Sequence, residues 1–171
     1  ARVEQLPVEV YVARVLVGEA EPNSPDATLQ ALAIAVRTYA VFNTGRHKAE
    51  GFDLCDSTHC QVPRPASTAS SRRAAMATAG QILTYRGAPA EIFYSASCGG
   101  RSESVSDAWG LAPRSYLKSI KDDVHDDDPA WTLERSLDDI RDALARAGVR
   151  GRRLEDVVVD ARTASGRVGR V

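Results

Sequence analysis

Residues 26–42, DATLQALAIAVRTYAVF, constrain the fold of this chain more than any other stretch. Leu29, Leu32, Ala33, Val36 and Tyr39 recur at spacings of three and four, which puts them on one face of a helix. Ser24 reads as its cap, Pro25 as its first position, Asp26 as a favourable charge in the first turn and Gly45 as its stop. A helix with one apolar face needs a partner. Residues 7–19, PVEVYVARVLVGE, supply one, with Val8, Tyr11, Val12, Val15 and Leu16 on a shared face and Pro7 suited to the first turn. The β-branched residues there would also suit a strand; the spacing favours a helix. GEAEPNSP joins the two tightly.

Beyond Gly45 the periodicity stops. Residues 47–66 mix Gly, Asp, Cys, His and Pro and read as a functional loop. Residues 69–79 read as a short helix stopped by Gly80. QILTY and AEIFYSA alternate around RGAP as a β-hairpin. SCGGRSESVSDAWG reads as a Gly/Ser-rich loop and VHDDDPAW as an exposed acidic stretch. Residues 136–147 form an amphipathic helix between Ser136 and Gly148, and EDVVVDARTASGRVGRV reads as a strand, a Ser-Gly turn and a further strand. This order predicts an α+β fold, with N-terminal helices packed against antiparallel β-hairpins and long functional loops, and not a doubly wound parallel sheet. Its length suits one domain spanning 1–171, with a C-terminal sheet that is incomplete or pairs within the short remainder.

The 22 basic and 23 acidic residues nearly cancel, so no global field points to nucleic acid or to a membrane surface. An uncharged polymer such as a glycan fits this balance. No apolar run reaches the roughly 20 residues of a membrane span. The opening ARVEQLPVEV has no apolar leader core, which fits a mature exported chain and a cytoplasmic one alike.

Three features can carry chemistry. The first is LCDSTHCQV at 54–62, where Cys55, His59 and Cys60 lie close together, with His47 upstream. These are ligand types that zinc prefers, and the set of four would also suit a zinc-dependent amidase. A Cys55–Cys60 disulfide and free thiols are the alternatives. Adjacent residues such as His59 and Cys60 normally point apart, which counts against a shared ion. The second is SASCGGRSE, whose paired glycines permit positive φ and an amide nest; Cys98 lies beside them and would join a metal site if the loops met. The third is Glu19, at the end of an apolar helix, where desolvation would raise its proton affinity and make it a general acid. An ordinary solvated glutamate is the alternative, and Glu21 the local competitor. Tyr94, Trp109 and Tyr116 offer faces for sugar stacking, and Trp131 is expected in the core.

VEVYVARVLVGEAEPNSPDATLQALAIAVRTYAVFN, LCDSTHCQV and AEIFYSASCGGRSESVSDAWG resemble, in order and spacing, the stage II sporulation protein D family, which includes amidase enhancers of the bacterial cell wall. The resemblance runs from about Leu6 to about Asp122. It implies an extracytoplasmic lytic transglycosylase that cleaves between N-acetylmuramic acid and N-acetylglucosamine and leaves a 1,6-anhydro end. It implies Glu19 as the acid/base and Cys55, His59 and Cys60 as a groove-shaping zinc site, to which the residue types add His47. Gln61, Tyr94, Ser95, Ser97, Gly99, Gly100, Arg101 and Trp109 would line the glycan groove, with Asp56, Glu103 and Asp107 as potential helpers. The implied partners are peptidoglycan strands and a cell-wall amidase, with a non-catalytic enhancer of that amidase as the alternative function. Cys98 stands where many members carry a small or polar residue.

Overall fold

The computed structural model of the chain describes residues 3–95, 97–122, 131–149, 151 and 153–171. The chain divides into two compact units, Ala1–Ala96 and Ser97–Val171.

In the first unit, α1 (Val8–Glu19), α2 (Asp26–Phe42) and α3 (Ala69–Ala77) pack together. Val12, Val15 and Leu16 of α1 meet Leu29, Ala33 and Val36 of α2 and Ala74 and Ala75 of α3. The alanines let the helix axes approach closely. The expected stripe is there, but Val8 is half exposed at 49%. The expected cap of α2 is not: Pro25 is the N-cap, and the Ser24 hydroxyl donates instead to the Glu21 carbonyl, closing the connector (2.8 Å). Thr68 caps α3 in a reciprocal box with Ser71.

One ion pair invisible to the periodicity locks these helices. Arg37 is 2% exposed and bridges Glu9 of α1 in bidentate fashion, at 3.1 and 2.5 Å. Its other N–H groups reach the carbonyls of Ala75 and Gln81, both at 3.0 Å. Every direction of the guanidinium is answered, which a buried cation requires. Burial opposes charge on Glu9, yet Arg37 and the Gly80 amide hold its carboxyl below the ordinary range.

The hairpin is shorter than the alternation suggests. β1 (Thr84–Tyr85) pairs antiparallel with β2 (Ala88–Pro89) across Arg86 and Gly87, both at positive φ (53° and 83°). The Ala90 amide still donates to the Leu83 carbonyl (2.9 Å), but the Leu83 amide turns to the Thr38 hydroxyl (2.9 Å) instead of returning the bond, so the ladder stops there.

In the second unit, residues 100–105 run antiparallel to 117–122, with Ser102 N–H donating to Ile120 O and Asp122 N–H to Gly100 O. The expected loop contains α4 (Val105–Trp109), capped by Ser104. α5 (Leu137–Arg146) matches expectation, with Ser136 and Asp139 forming a capping box. β3 (Ala161–Arg162) pairs with β4 (Val168–Arg170). Trp131 is 83% exposed and not a core residue. The acidic stretch, apart from Trp131, lies outside the described residues. The helices and short antiparallel pairs make an α+β fold. No helix among the described residues is long and apolar enough to cross a membrane.

Candidate functional site

After α2 the chain folds into a compact knuckle. The Gly45 amide donates to the Asp53 carboxylate (2.9 Å) and the His47 amide to the Asp53 carbonyl (3.2 Å), closing the loop on itself. A single 3₁₀ turn, Lys48–Glu50, ends at Gly51 with φ of 89°. This loop brings His47, Cys55, His59 and Cys60 together, with their ligand atoms within 4.8 Å of one another. His47 Nε2 lies 3.3 Å from His59 Nδ1 and 3.4 Å from Cys60 Sγ; His59 Nδ1 lies 3.6 Å from each sulfur. A tetrahedral ion with metal–sulfur bonds of about 2.3 Å and metal–nitrogen bonds of about 2.05 Å requires about 3.3 Å between nitrogens and about 3.6 Å between nitrogen and sulfur. Four of the six ligand pairs therefore match a closed N₂S₂ site, and the group, all within 4.8 Å, could hold a metal ion.

The objection from adjacency is answered by local geometry. Cys60 N–H donates to Ser57 O in a tight turn (3.0 Å), and His59 uses its near nitrogen, so neighbouring side chains converge. All three cysteines are free thiols, and Cys55 and Cys60 are not joined as a disulfide. The outer shell is suited as well. Glu50 accepts from His47 Nδ1 (2.6 Å), which turns the Nε2 lone pair toward the cluster. The Ser57 hydroxyl is the main influence that pulls the Cys55 thiol down to about 6, the thiolate-favouring direction, whereas burial pushes Cys60 up. Arg46 sits 3.4 Å from His59 Nε2; since arginine only donates, a metal on Nδ1 would require it to swing aside.

The segment that leaves Cys60 carries the rest of the site. The Val62 amide donates to Glu19 Oε1 (3.4 Å). The Arg64 amide donates to the Arg14 carbonyl (3.1 Å), so residues 62–64 lie along the C-terminal half of α1. Gly18 makes this approach feasible: a Cβ there would sit 2.3 Å from the Val62 carbonyl oxygen. Gln61, 1% exposed, accepts from Tyr11 (2.9 Å) and donates to Tyr94 (2.9 Å) and to the Val36 carbonyl (3.3 Å). Its amide is wholly engaged inside the fold, so Gln61 reaches the site through Tyr94 and does not itself face solvent. Tyr94 meets Tyr39 edge-on at 6.4 Å, and Tyr39 in turn donates to the His59 carbonyl (3.4 Å). Burial first, opposed by the Gln61 hydrogen bond and helped by the nearby Glu19 charge, pushes the Tyr94 hydroxyl up to about 12.

Glu19 itself is exposed, not desolvated as the apolar helix suggested. Glu21 lies past the helix end in the connector, where its carbonyl takes the Ser24 hydroxyl.

A family model described as Stage II sporulation protein matches residues 1–85, which include Glu19, all four cluster residues and Gln61. The chain belongs to the stage II sporulation protein D family. It is 27% identical over 152 residues to the stage II sporulation protein D of Bacillus amyloliquefaciens, covering 79% of this chain and 44% of that one. It is 28% identical over 169 residues to an uncharacterized protein of Brachyspira hyodysenteriae, covering 96% and 46%. Likeness to the amidase enhancer of Bacillus subtilis is 32% over 109 residues, 63% of this chain and 14% of that one. The chain thus spans about half the length, or less, of these relatives.

The remaining expected groove residues of this family member fall at or beyond the end of the first unit. Ser95 closes the described part of that unit, and Ser97, Gly99, Gly100, Arg101 and Trp109 belong to the second. Gly99 and Gly100 both adopt positive φ, 61° and 84°. Their amides face inward: Gly99 donates to Ser97 Oγ (3.3 Å), and Gly100 to the Cys98 sulfur. The Cys98 thiol donates to Asp122 (3.2 Å), which raises its proton affinity. Arg101 bridges Lys121 through the backbone, and Trp109 is 58% exposed at the end of α4. Glu103 accepts from Thr163 (2.7 Å) and Ser165 (2.5 Å), and these donors hold it below the ordinary carboxylate range. Asp107 accepts the Ser104 hydroxyl at 2.8 Å. Asp56 is exposed within the knuckle.

Val62 and Gly18 were not singled out by sequence, and Tyr11 and Tyr39 were named only as members of the apolar stripes of α1 and α2. Gly18 alone gave a signal: a glycine inside a helical pattern commonly marks a close packing approach.

Proposed function

We propose that this chain acts on peptidoglycan glycan strands outside the cytoplasmic membrane as a lytic transglycosylase, with Glu19 as its acid/base. The observation that carries this reading is the juxtaposition at Gln61–Val62: one backbone step supports both the Glu19 carboxylate and the Tyr94 hydroxyl.

Hydrolytic glycosidases employ two carboxylates. A lytic transglycosylase needs one, because the muramic acid supplies its own 6-hydroxyl as nucleophile. Val62 N–H occupies Oε1 of Glu19, which leaves Oε2 to carry the proton. Glu19 gives that proton to the bridging oxygen as the C1–O bond breaks. The 6-hydroxyl oxygen bonds to C1, and its proton returns to Glu19. No water is consumed, and the product is a 1,6-anhydro end. Glu19 is exposed in the free protein, so the strand lying over it is what excludes water from the reacting oxygens.

His47, Cys55, His59 and Cys60 would hold zinc. Four protein ligands leave no position for a reactive water, so this zinc would be structural, which disfavours the zinc amidase reading. Its role would be to brace Cys60 and, through it, Gln61 and Val62.

Glu19→Gln is expected to abolish anhydro products released from purified sacculi, followed by mass spectrometry, with far-UV circular dichroism unchanged. Full turnover in that variant would reject the assignment.

A second reading, a non-catalytic module that grips glycan and enhances a cell-wall amidase, is favoured by the likeness to the Bacillus subtilis amidase enhancer. Sacculus binding by the native chain without anhydro product, together with stimulation of an added amidase, would select it.

A further inference from the structure

Gln61 sets the polarity of the hydroxyl next to Glu19. The Val36 carbonyl can only accept, so the Gln61 atom 3.3 Å from it is the amide nitrogen. Its carbonyl oxygen therefore faces Tyr11, whose hydroxyl must donate to it. The second amide hydrogen goes to the Tyr94 oxygen at 2.9 Å. With that direction taken by an incoming donor, the Tyr94 proton points away from Gln61. The donors run one way, from Tyr11 and from Gln61, and end on the Tyr94 hydroxyl, whose own proton is directed away from Gln61. Tyr94 is 37% exposed, whereas Gln61 is 1% exposed. The amide is itself buried and cannot rotate without abandoning its three hydrogen-bond partners, so the direction is built in.

We propose that Gln61 is a positioning residue that compels Tyr94 to act as a hydrogen-bond donor to an acceptor oxygen of the bound glycan beside Glu19. This rests on the reading of the site as a glycan site, but not on turnover. A tyrosine with acidity suppressed stays protonated at neutral pH, as a donor must. Sugar hydroxyls both donate and accept, whereas ring and bridging ether oxygens and N-acetyl carbonyls only accept. A donor of fixed direction therefore selects the latter classes.

The test is cosedimentation with purified peptidoglycan sacculi, alongside mass spectrometry of soluble products. Tyr94→Phe removes the proton and little volume, and is expected to weaken binding about three- to tenfold, the effect of one hydrogen bond. Gln61→Met frees the hydroxyl to turn and is expected to weaken binding to a similar extent, with a lower melting temperature. The double variant should bind no worse than Tyr94→Phe alone, because Gln61 acts through Tyr94. Additive losses would overturn the role of Gln61. Unchanged binding by Tyr94→Phe would overturn the whole proposal, and remains decisive if Gln61→Met fails to fold. Weakened binding by Tyr94→Phe in a chain that releases no anhydro product would support the proposal while rejecting the lyase reading. Loss of product in Glu19→Gln with Tyr94→Phe binding intact would do the reverse.

Discussion

Residues 3–95 bury Val12, Val15, Leu16 and Val36 to 1% exposure or less, whereas Val105 is the one buried apolar side chain among the described residues of 97–171. The second unit relies instead on directional polar contacts. Thr163 and Ser165 converge on Glu103, and Arg167 reaches both Glu103 and the Cys98 carbonyl. Hydrogen bonds set register but remove little apolar surface from water, and each contributes only modestly net of solvent. The difference teaches where precision can reside. A carboxylate that must be placed to a fraction of an ångström belongs on the packed helices, and Glu19 ends α1. The polar unit can hold the double-glycine loop in shape but has no comparable apolar packing behind it.

The largest way to sharpen this contrast is metal loading. With free zinc about a thousandfold above its dissociation constant, the first unit should gain about 4 kcal/mol. Differential scanning calorimetry should show its transition moving upward while that of residues 97–171 stays in place. Cys60→Ser should remove the gain. A parallel shift of both transitions would erase the contrast.

Next in size is Glu9→Gln, which leaves the Arg37 cation buried without its partner. Since Glu9 is 25% exposed, the cost falls at the lower end for a broken buried pair, about 3 kcal/mol, read by urea unfolding. The same pair predicts the pH response. The folded carboxyl lies below its ordinary value of 4.5, so its stabilisation is complete above that pH and is lost as pH falls through the lower folded value. Glu9→Gln should flatten this acid slope for the first unit.

The smallest expected effect is Glu103→Gln. It should speed amide hydrogen exchange at residues 163–167 and leave zinc affinity unaltered. Loss of zinc binding in that variant would contradict the separation.

Much of the first unit was legible in the sequence because its organising signal is periodic. The stripes of α1 and α2 depend on residues a few positions apart, as does the cap of α5 in the second unit. The hairpin was overextended because alternation continues through AEIFYSA, while the Leu83 amide that a longer ladder needs is taken by Thr38, 45 positions away in sequence. Glu9 and Arg37 are 28 positions apart and carry no shared periodicity, so their pairing needed coordinates. The cluster residues were legible by type. Their convergence was not, because the turn at Ser57–Cys60 reverses the usual divergence of neighbours. Trp131 was misjudged because an aromatic ring at an irregular position carries no statement about which side of the chain is covered.

The spacing Cys60–Gln61–Val62 has a consequence for how the chain can change length. Residues 48–51 form the exposed tip of the knuckle, and extra residues could bulge there while the thiols and imidazoles still met. Between Cys60 and Val62 there is no such slack: one inserted residue would reverse which side chains face the helices and turn the amide away from the acid. Insertions and deletions in descendants of this chain should therefore gather upstream of Cys55 and avoid the two peptide bonds that follow Cys60.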